Sequence, residues 1–169
     1  MTRMEMAKKG IVTDEVKTVA LAERIPPEQL SEDIALGVST IPINKNRDIR
    51  PLGIGRNLRT KINANIGTSK DMISVDGEME KLDILVKYGA DAVMDLSTGG
   101  PIRELRTMML KRSPIAVGTV PIYEAAVRTA EQKGAIAKMT PDELFAVIDE
   151  HGAAGVDFVT VHSGLTMKA

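Results

Sequence analysis

The feature that most limits how this chain can fold is a strand-then-helix alternation, repeated four times from about Pro51 onward. Each strand segment is short, apolar and ends on polar residues. The four segments are Thr60-Lys61-Ile62-Asn63-Ala64-Asn65-Ile66-Gly67, Ala92-Val93-Met94-Asp95-Leu96-Ser97-Thr98-Gly99-Gly100, Ile115-Ala116-Val117-Gly118-Thr119-Val120-Pro121-Ile122-Tyr123 and Val156-Asp157-Phe158-Val159-Thr160-Val161-His162-Ser163-Gly164. Strands separated by helices pair in parallel through right-handed crossovers. A closed (β/α)8 barrel and an open doubly wound sheet both satisfy that pattern. Two observations favour the barrel. The strands start at regular intervals, and all of them end on polar groups, as a barrel's active face requires. A doubly wound sheet concentrates its site at one switch point. No Gly-x-Gly-x-x-Gly follows the first strand, and Gly53-Ile54-Gly55 precedes it, so the dinucleotide fingerprint is absent. The expected architecture is therefore about the first four βα units of a (β/α)8 TIM barrel over 51–169, preceded by a small helical and extended segment over 1–50.

The helices follow from capping and periodicity. Thr13-Asp14-Glu15 predicts a helix through about Glu23, with Val16, Val19 and Ala20 on its apolar face. Pro26-Pro27 ends or precedes a helical piece, and Ser31-Glu32-Asp33 opens a short helix stopping near Gly37. Thr40–Asn46 reads as extended. Beyond Pro51, helices are expected near 74–88, 101–112 and 122–133. A further helix starts where Thr140, Pro141 and Glu143 form a capping box with proline at the first helical position.

Composition removes whole classes of function. A net charge of -1 gives no electrostatic case for nucleic acid or an acidic membrane surface. No apolar run is long enough for a membrane span or a secretion signal, so the cytoplasm is the expected location. Cysteine is absent, which removes disulfides, thiolate nucleophiles and thiolate-held metal from this chain. Aromatics make up 2% while methionine numbers 10, so the core is filled by aliphatic side chains and base-stacking platforms are not expected.

The strand ends carry the candidate chemistry. Asn63 and Asn65 share a strand face and offer amides either to a ligand or to the interior. Asp95 and Ser97 share a face ahead of Thr98-Gly99-Gly100, a turn that could cradle a phosphate or be an ordinary helix entry capped by Thr98. Met94 points away from Asp95 and by pattern belongs to the core. Tyr123 follows the third strand, where its hydroxyl could orient a substrate or reach water. His162 ends the fourth strand as a proton donor, a ligand hydrogen bond or a metal ligand, although a lone histidine is more often a structural group than a metal ligand. His151 ends a helix and is expected to face solvent or the helix dipole. Arg56, Arg59 and Lys61 form a small basic run, either a solvated face or an attraction for phosphate.

These same residues resemble the phosphomethylpyrimidine synthase family of thiamine biosynthesis. The resemblance rests on Gly53-Ile54-Gly55-Arg56-Asn57, Lys61–Gly67, Asp91–Gly99, Val117–Tyr123 and the N-terminal Thr2–Ile11. It implies a radical S-adenosylmethionine lyase that rearranges 5-aminoimidazole ribonucleotide into 4-amino-5-hydroxymethyl-2-methylpyrimidine phosphate, with formate and carbon monoxide as by-products. It also implies a [4Fe-4S] cluster, S-adenosylmethionine and zinc as cofactors, and a homodimer for full-length members. Carried over by position, the substrate contacts within this segment are Asn65 through its amide, Met94 by packing, Tyr123 through its hydroxyl and His162 through its imidazole. For Met94 the resemblance overrides the strand-face reading.

The family's Ser-Arg-Gly and Asp-Gly-Leu-Arg motifs, metal-binding histidines and cluster cysteines have no counterpart in this chain, so it resembles the N-terminal part of such an enzyme and is expected to be inactive alone. No metal site is expected within the segment, and no catalytic residue is assigned. Two alternatives share these motifs: a 5-hydroxybenzimidazole synthase acting on the same ribonucleotide, and a non-catalytic ribonucleotide-binding fragment. Four strands of an unclosed barrel leave two free edges, which are templates for association.

Overall fold

The computed structural model describes residues 1–164, which divide into two compact units. One comprises Met1–Ile43 and Ile49–Lys61, the other Asn44–Asp48 and the chain from Ile62 onward.

The first unit is built from α1 (Arg3–Lys8), α2 (Asp14–Glu23), α3 (Pro27–Ala35) and a two-residue antiparallel pair, β1 (Ser39–Thr40) with β2 (Ile54–Gly55). Thr13 caps α2 as its sequence predicts. The α3 boundary differs from expectation: the helix opens at Pro27, and Ser31 is buried inside it. Proline's fixed φ suits the first helical position, while Pro26 just before it is extended. α1 was not expected, although Thr2 and Glu5 form a complete capping box around its start. Val16, Val19, Ala20, Leu30, Ile34 and Ile41 fill this unit's core.

The second unit is a four-stranded parallel sheet in chain order. It contains β3 (Asn63–Ile66), β4 (Ala92–Asp95), β5 (Ala116–Thr119) and β6 (Phe158–Val159). α4 (Val75–Lys87) links β3 to β4, and α5 (Ile102–Arg112) links β4 to β5. Two helices, α6 (Pro121–Lys133) and α7 (Pro141–Ala154), lie between β5 and β6, joined through a 3₁₀ turn at Ile136–Lys138. The Thr140 capping box of α7 is complete.

Register fixes which side chains share a face. Ile66, Asp95, Thr119 and Val159 are aligned across the sheet, as are Asn65, Met94, Gly118 and Phe158. Aligned residues in parallel strands point the same way, and the two rows point oppositely. Ile66, Val93 and Val117 pack with Met79 and Leu82 of α4 and Leu105 and Met109 of α5. That face is the helix-covered one, and the Asn65–Phe158 row belongs to the other. The described residues form an open sheet rather than a closed barrel.

A strap from Asn44 to Asp48 braces the amino ends of β5 and β6. The Asn44 N–H donates to Asp157 Oδ1 at 2.9 Å, and Val117 N–H donates to Asp157 Oδ2 at 2.8 Å. The Arg47 guanidinium donates to the carbonyls of Leu110, Ser113 (2.9 Å) and Ile115 (3.1 Å). Among the described residues, no helix is long and apolar enough to cross a membrane.

Candidate functional site

The four candidate contacts gather at the carboxyl ends of the sheet as two pairs. Asn65 and Met94 are direct register partners on neighbouring strands. Asn65 is exposed, with its Oδ1 accepting from Asn63 Nδ2 at 3.4 Å, whereas Met94 is only 7% exposed. Gly118 continues their row, and a Cβ built there would lie 2.4 Å from the Phe158 ring. The missing side chain at Gly118 is thus the space the Phe158 ring occupies. Tyr123, in the first turn of α6, and exposed His162 form the second pair, their ring centroids 5.9 Å apart at 38°.

Tyr123 also lines a cavity of about 440 Å³. Ser69, Lys70, Asp71 and Thr98 supply its polar wall, and Ala126, Val127, Ala130 and Ile136 its apolar wall. This combination suits a ligand with one apolar face and one hydrogen-bonding edge.

The loops that follow β3 and β4 are zipped together and make a fixed rim. Thr68 N–H donates to Ser97 Oγ at 3.0 Å, Thr68 Oγ1 donates to the Gly99 carbonyl at 2.6 Å, and Thr98 N–H donates to the Thr68 carbonyl at 2.8 Å. Gly67 has φ of +148°, and a Cβ there would stand 2.6 Å from Ser97 N. Only glycine permits both that conformation and that approach. Thr98 does not cap α5. Pro101 precedes that helix without a side-chain cap, and the Thr98 N–H is spent on the neighbouring loop.

Asp95 is not available to a ligand at this rim. Its Oδ1 accepts from Ser97 N–H at 3.0 Å and Ser97 Oγ at 2.5 Å, and the group lies on the helix-covered face. Burial pushes its carboxyl above the usual range, against the Ser97 hydrogen bonds and the nearby Arg106 and His151.

Beneath the rim lies a polar cluster that the sequence reading missed. His151 is 2% exposed, contrary to the solvent-facing role expected for it. Its Nδ1 shares a hydrogen bond with Thr119 Oγ1 at 2.8 Å, and its Nε2 lies 2.7 Å from both Glu124 Oε2 and Arg106 Nη1. Arg106 and Glu124 form a buried ion pair, and Arg128 bridges Glu124 to Glu150. Burial alone would raise the Glu124 carboxyl, but His151, Arg106 and Arg128 outweigh it and hold it down at about 2. The signal was present in the pattern. Arg106 sits in the apolar stripe of Ile102, Leu105 and Met109, and His151 follows Val147 by one helical turn. A charge on a buried helical face must find a partner.

Residues 2–169 match the family described as the radical SAM ThiC family. The chain belongs to the radical SAM ThiC family. It is 62% identical to the phosphomethylpyrimidine synthase of Thermodesulfovibrio yellowstonii over 168 residues, and 52% identical to that of Moorella thermoacetica over 169 residues. The enzyme of the same name from Pyrococcus furiosus is 47% identical over 169 residues. Each alignment covers 99% of this chain and 39% of the relative, so the chain spans well under half the length of these relatives. The family description implies an iron–sulfur cluster and S-adenosylmethionine. The residues of this ThiC-family chain do not fit the cluster, because no cysteine exists to supply a thiolate. Among the described residues, no group of three or more His, Asp or Glu side chains is placed to hold a metal ion.

Proposed function

We propose that this chain provides part of the substrate-holding face of a phosphomethylpyrimidine synthase acting on 5-aminoimidazole ribonucleotide. The observation that carries the reading is the placement of Asn65, Met94, Tyr123 and His162 at one end of one parallel sheet. The relatives' shared name favours the pyrimidine product over a benzimidazole. On this reading the sheet is the first part of a (β/α)8 barrel. Parallel strands in chain order are joined by right-handed crossovers as a rule, which keeps the connecting helices on one face as barrel closure requires, and α4 and α5 both cover the Ile66, Val93 and Val117 face here. A doubly wound sheet reverses its order and covers both faces.

The residues would then act as holders rather than as reactants. The Asn65 amide hydrogen-bonds a polar edge of the ribonucleotide, and Met94 supplies an apolar contact beside it. The Tyr123 hydroxyl and the His162 imidazole meet the ligand from the other pair. In this reading the cluster, S-adenosylmethionine and zinc are held by residues outside this chain, which does no radical chemistry alone. The complete protein works in the cytoplasm as a homodimer, without a nucleic-acid or membrane partner.

Titrating the chain with 5-aminoimidazole ribonucleotide tests the binding half of this reading. Asn65→Ala removes one hydrogen bond worth about 1 kcal/mol and should weaken binding by about fivefold. Tyr123→Phe should do the same. Undiminished affinity in both variants would overturn the site. Production of 5′-deoxyadenosine by the chain after reconstitution with iron, sulfide, reductant and S-adenosylmethionine would overturn the division of labour.

A further inference from the structure

The buried cluster on the helix-covered face lies next in sequence to Tyr123, and the start of α6 has no side-chain cap. Val120 is the N-cap of α6 and makes no side-chain capping bond. A helix start left that way leaves its first N–H groups without side-chain partners. Glu124 takes over the anchoring from inside the first turn, where a carboxylate also favours the positive end of the helix. Its Oε2 meets Arg106 of α5 and His151 of α7, and its Oε1 meets Arg128. His151 in turn reaches Thr119, the last residue of β5. One side chain therefore ties the start of α6 to two neighbouring helices and, through His151, to the strand that precedes it.

Successive helical residues are about 100° apart around the axis. Glu124 points into this cluster, so Tyr123 is directed elsewhere, to the cavity and the His162 ring. We infer that Glu124, held by Arg106 and His151, is a positioning residue for Tyr123, fixing the phenol against His162 at the strand ends. The cluster touches no ligand on this account. Its work is to keep the first turn of α6 at one height and one rotation relative to β5.

The inference rests on the proposed ribonucleotide site only in its ligand arm, and the structural arm is independent of it. Tyr88 and Tyr123 are the only tyrosines, and Tyr88 is exposed at the end of α4. A Tyr88→Phe chain labelled with 3-fluorotyrosine therefore reports on Tyr123 alone. In that background the Tyr123 ring should show a nuclear Overhauser contact to the His162 ring. Glu124→Gln keeps the shape and removes the charge. It should abolish that contact and move the fluorine resonance toward its unfolded position, while helix content by circular dichroism is kept. Persistence of contact and shift, with only a lowered melting temperature, would overturn the inference.

Should Glu124→Gln fail to fold, Thr119→Val provides the second variant. It cuts only the His151 link and leaves all charges in place, and it should displace the fluorine resonance in the same direction. An unmoved resonance there overturns the inference equally. In the ligand arm, 5-aminoimidazole ribonucleotide should bind Glu124→Gln about tenfold more weakly than its parent. If the parent binds none, the ribonucleotide reading falls while the resonance data still decide the positioning role. If both bind equally, the positioning role falls.

Discussion

Replacing Arg47 should cost more stability than any other single change in the strap at the base of the sheet. The Arg47 side chain is 6% exposed and that of Asp157 is 0% exposed, with Nε and Oδ2 3.8 Å apart. The guanidinium also serves as a remote cap for α5. The last four carbonyls of a helix have no partner within it. Arg47 covers the Leu110 carbonyl from that group, and those of Ser113 and Ile115 in the turn beyond. Arg47→Met keeps most of the apolar stem but strips these carbonyls of a charged donor and leaves Asp157 buried without its cation. Removing one partner of a buried pair costs about 3–5 kcal/mol. Asp157 still accepts from two backbone N–H groups, so the lower end of that range is the better expectation. Arg47→Lys should recover only part of the loss, since one ammonium cannot span three carbonyls. Urea unfolding followed by circular dichroism measures both. At a slope of about 2 kcal/mol per molar, Arg47→Met should lower the midpoint by about 1.5 M. A loss below about 1 kcal/mol, or Lys and Met variants of equal stability, would refute this account of the strap.

Two further outcomes can be checked on the same material. Gly118→Ala places a methyl 2.4 Å from the Phe158 ring and should destabilise by about 1–3 kcal/mol in a thermal melt, with Phe158→Leu restoring part of the loss. The Glu124 carboxyl is held at about 2 against an ordinary 4.5. A depressed acid contributes stability that is complete above the unfolded value and is lost as pH falls through the folded one. The melting temperature should therefore drop between about pH 4.5 and 2 in the wild type. Glu124→Gln should show a shallower drop, and parallel curves would contradict that.

Local signals in the sequence carried far, and long-range ones did not. The Thr140 capping box and the Thr13 cap are where the pattern placed them, because caps are settled by residues three apart. The helix expected near 74–88 spans Val75–Lys87, its amphipathic period being dictated by one buried face. Asn65 and Tyr123 were legible as strand-end polar groups. The turn at Thr98 was not, because its partner is Thr68 on another loop, a pairing that no local window contains. His151 was misread for the same reason. A helix-end histidine looks solvated until a helix 27 residues away brings Glu124 against it. The step from a four-stranded parallel sheet to a barrel also lies beyond local pattern, since four units specify the order of strands but not what meets the outer two.

The strap has a practical consequence for anyone who trims this molecule. Asn44–Asp48 is interrupted from the rest of its unit by Ile49–Lys61, which belongs to the other. A fragment cut to begin at β3 would retain every strand and every helix of the sheet unit, yet would leave behind the arginine that closes its floor. A nick after Asp48, with both pieces retained, would be milder, because the strap could stay bound without being covalently continuous. Limited proteolysis and fragment complementation would therefore report different borders from those suggested by the strands and helices alone.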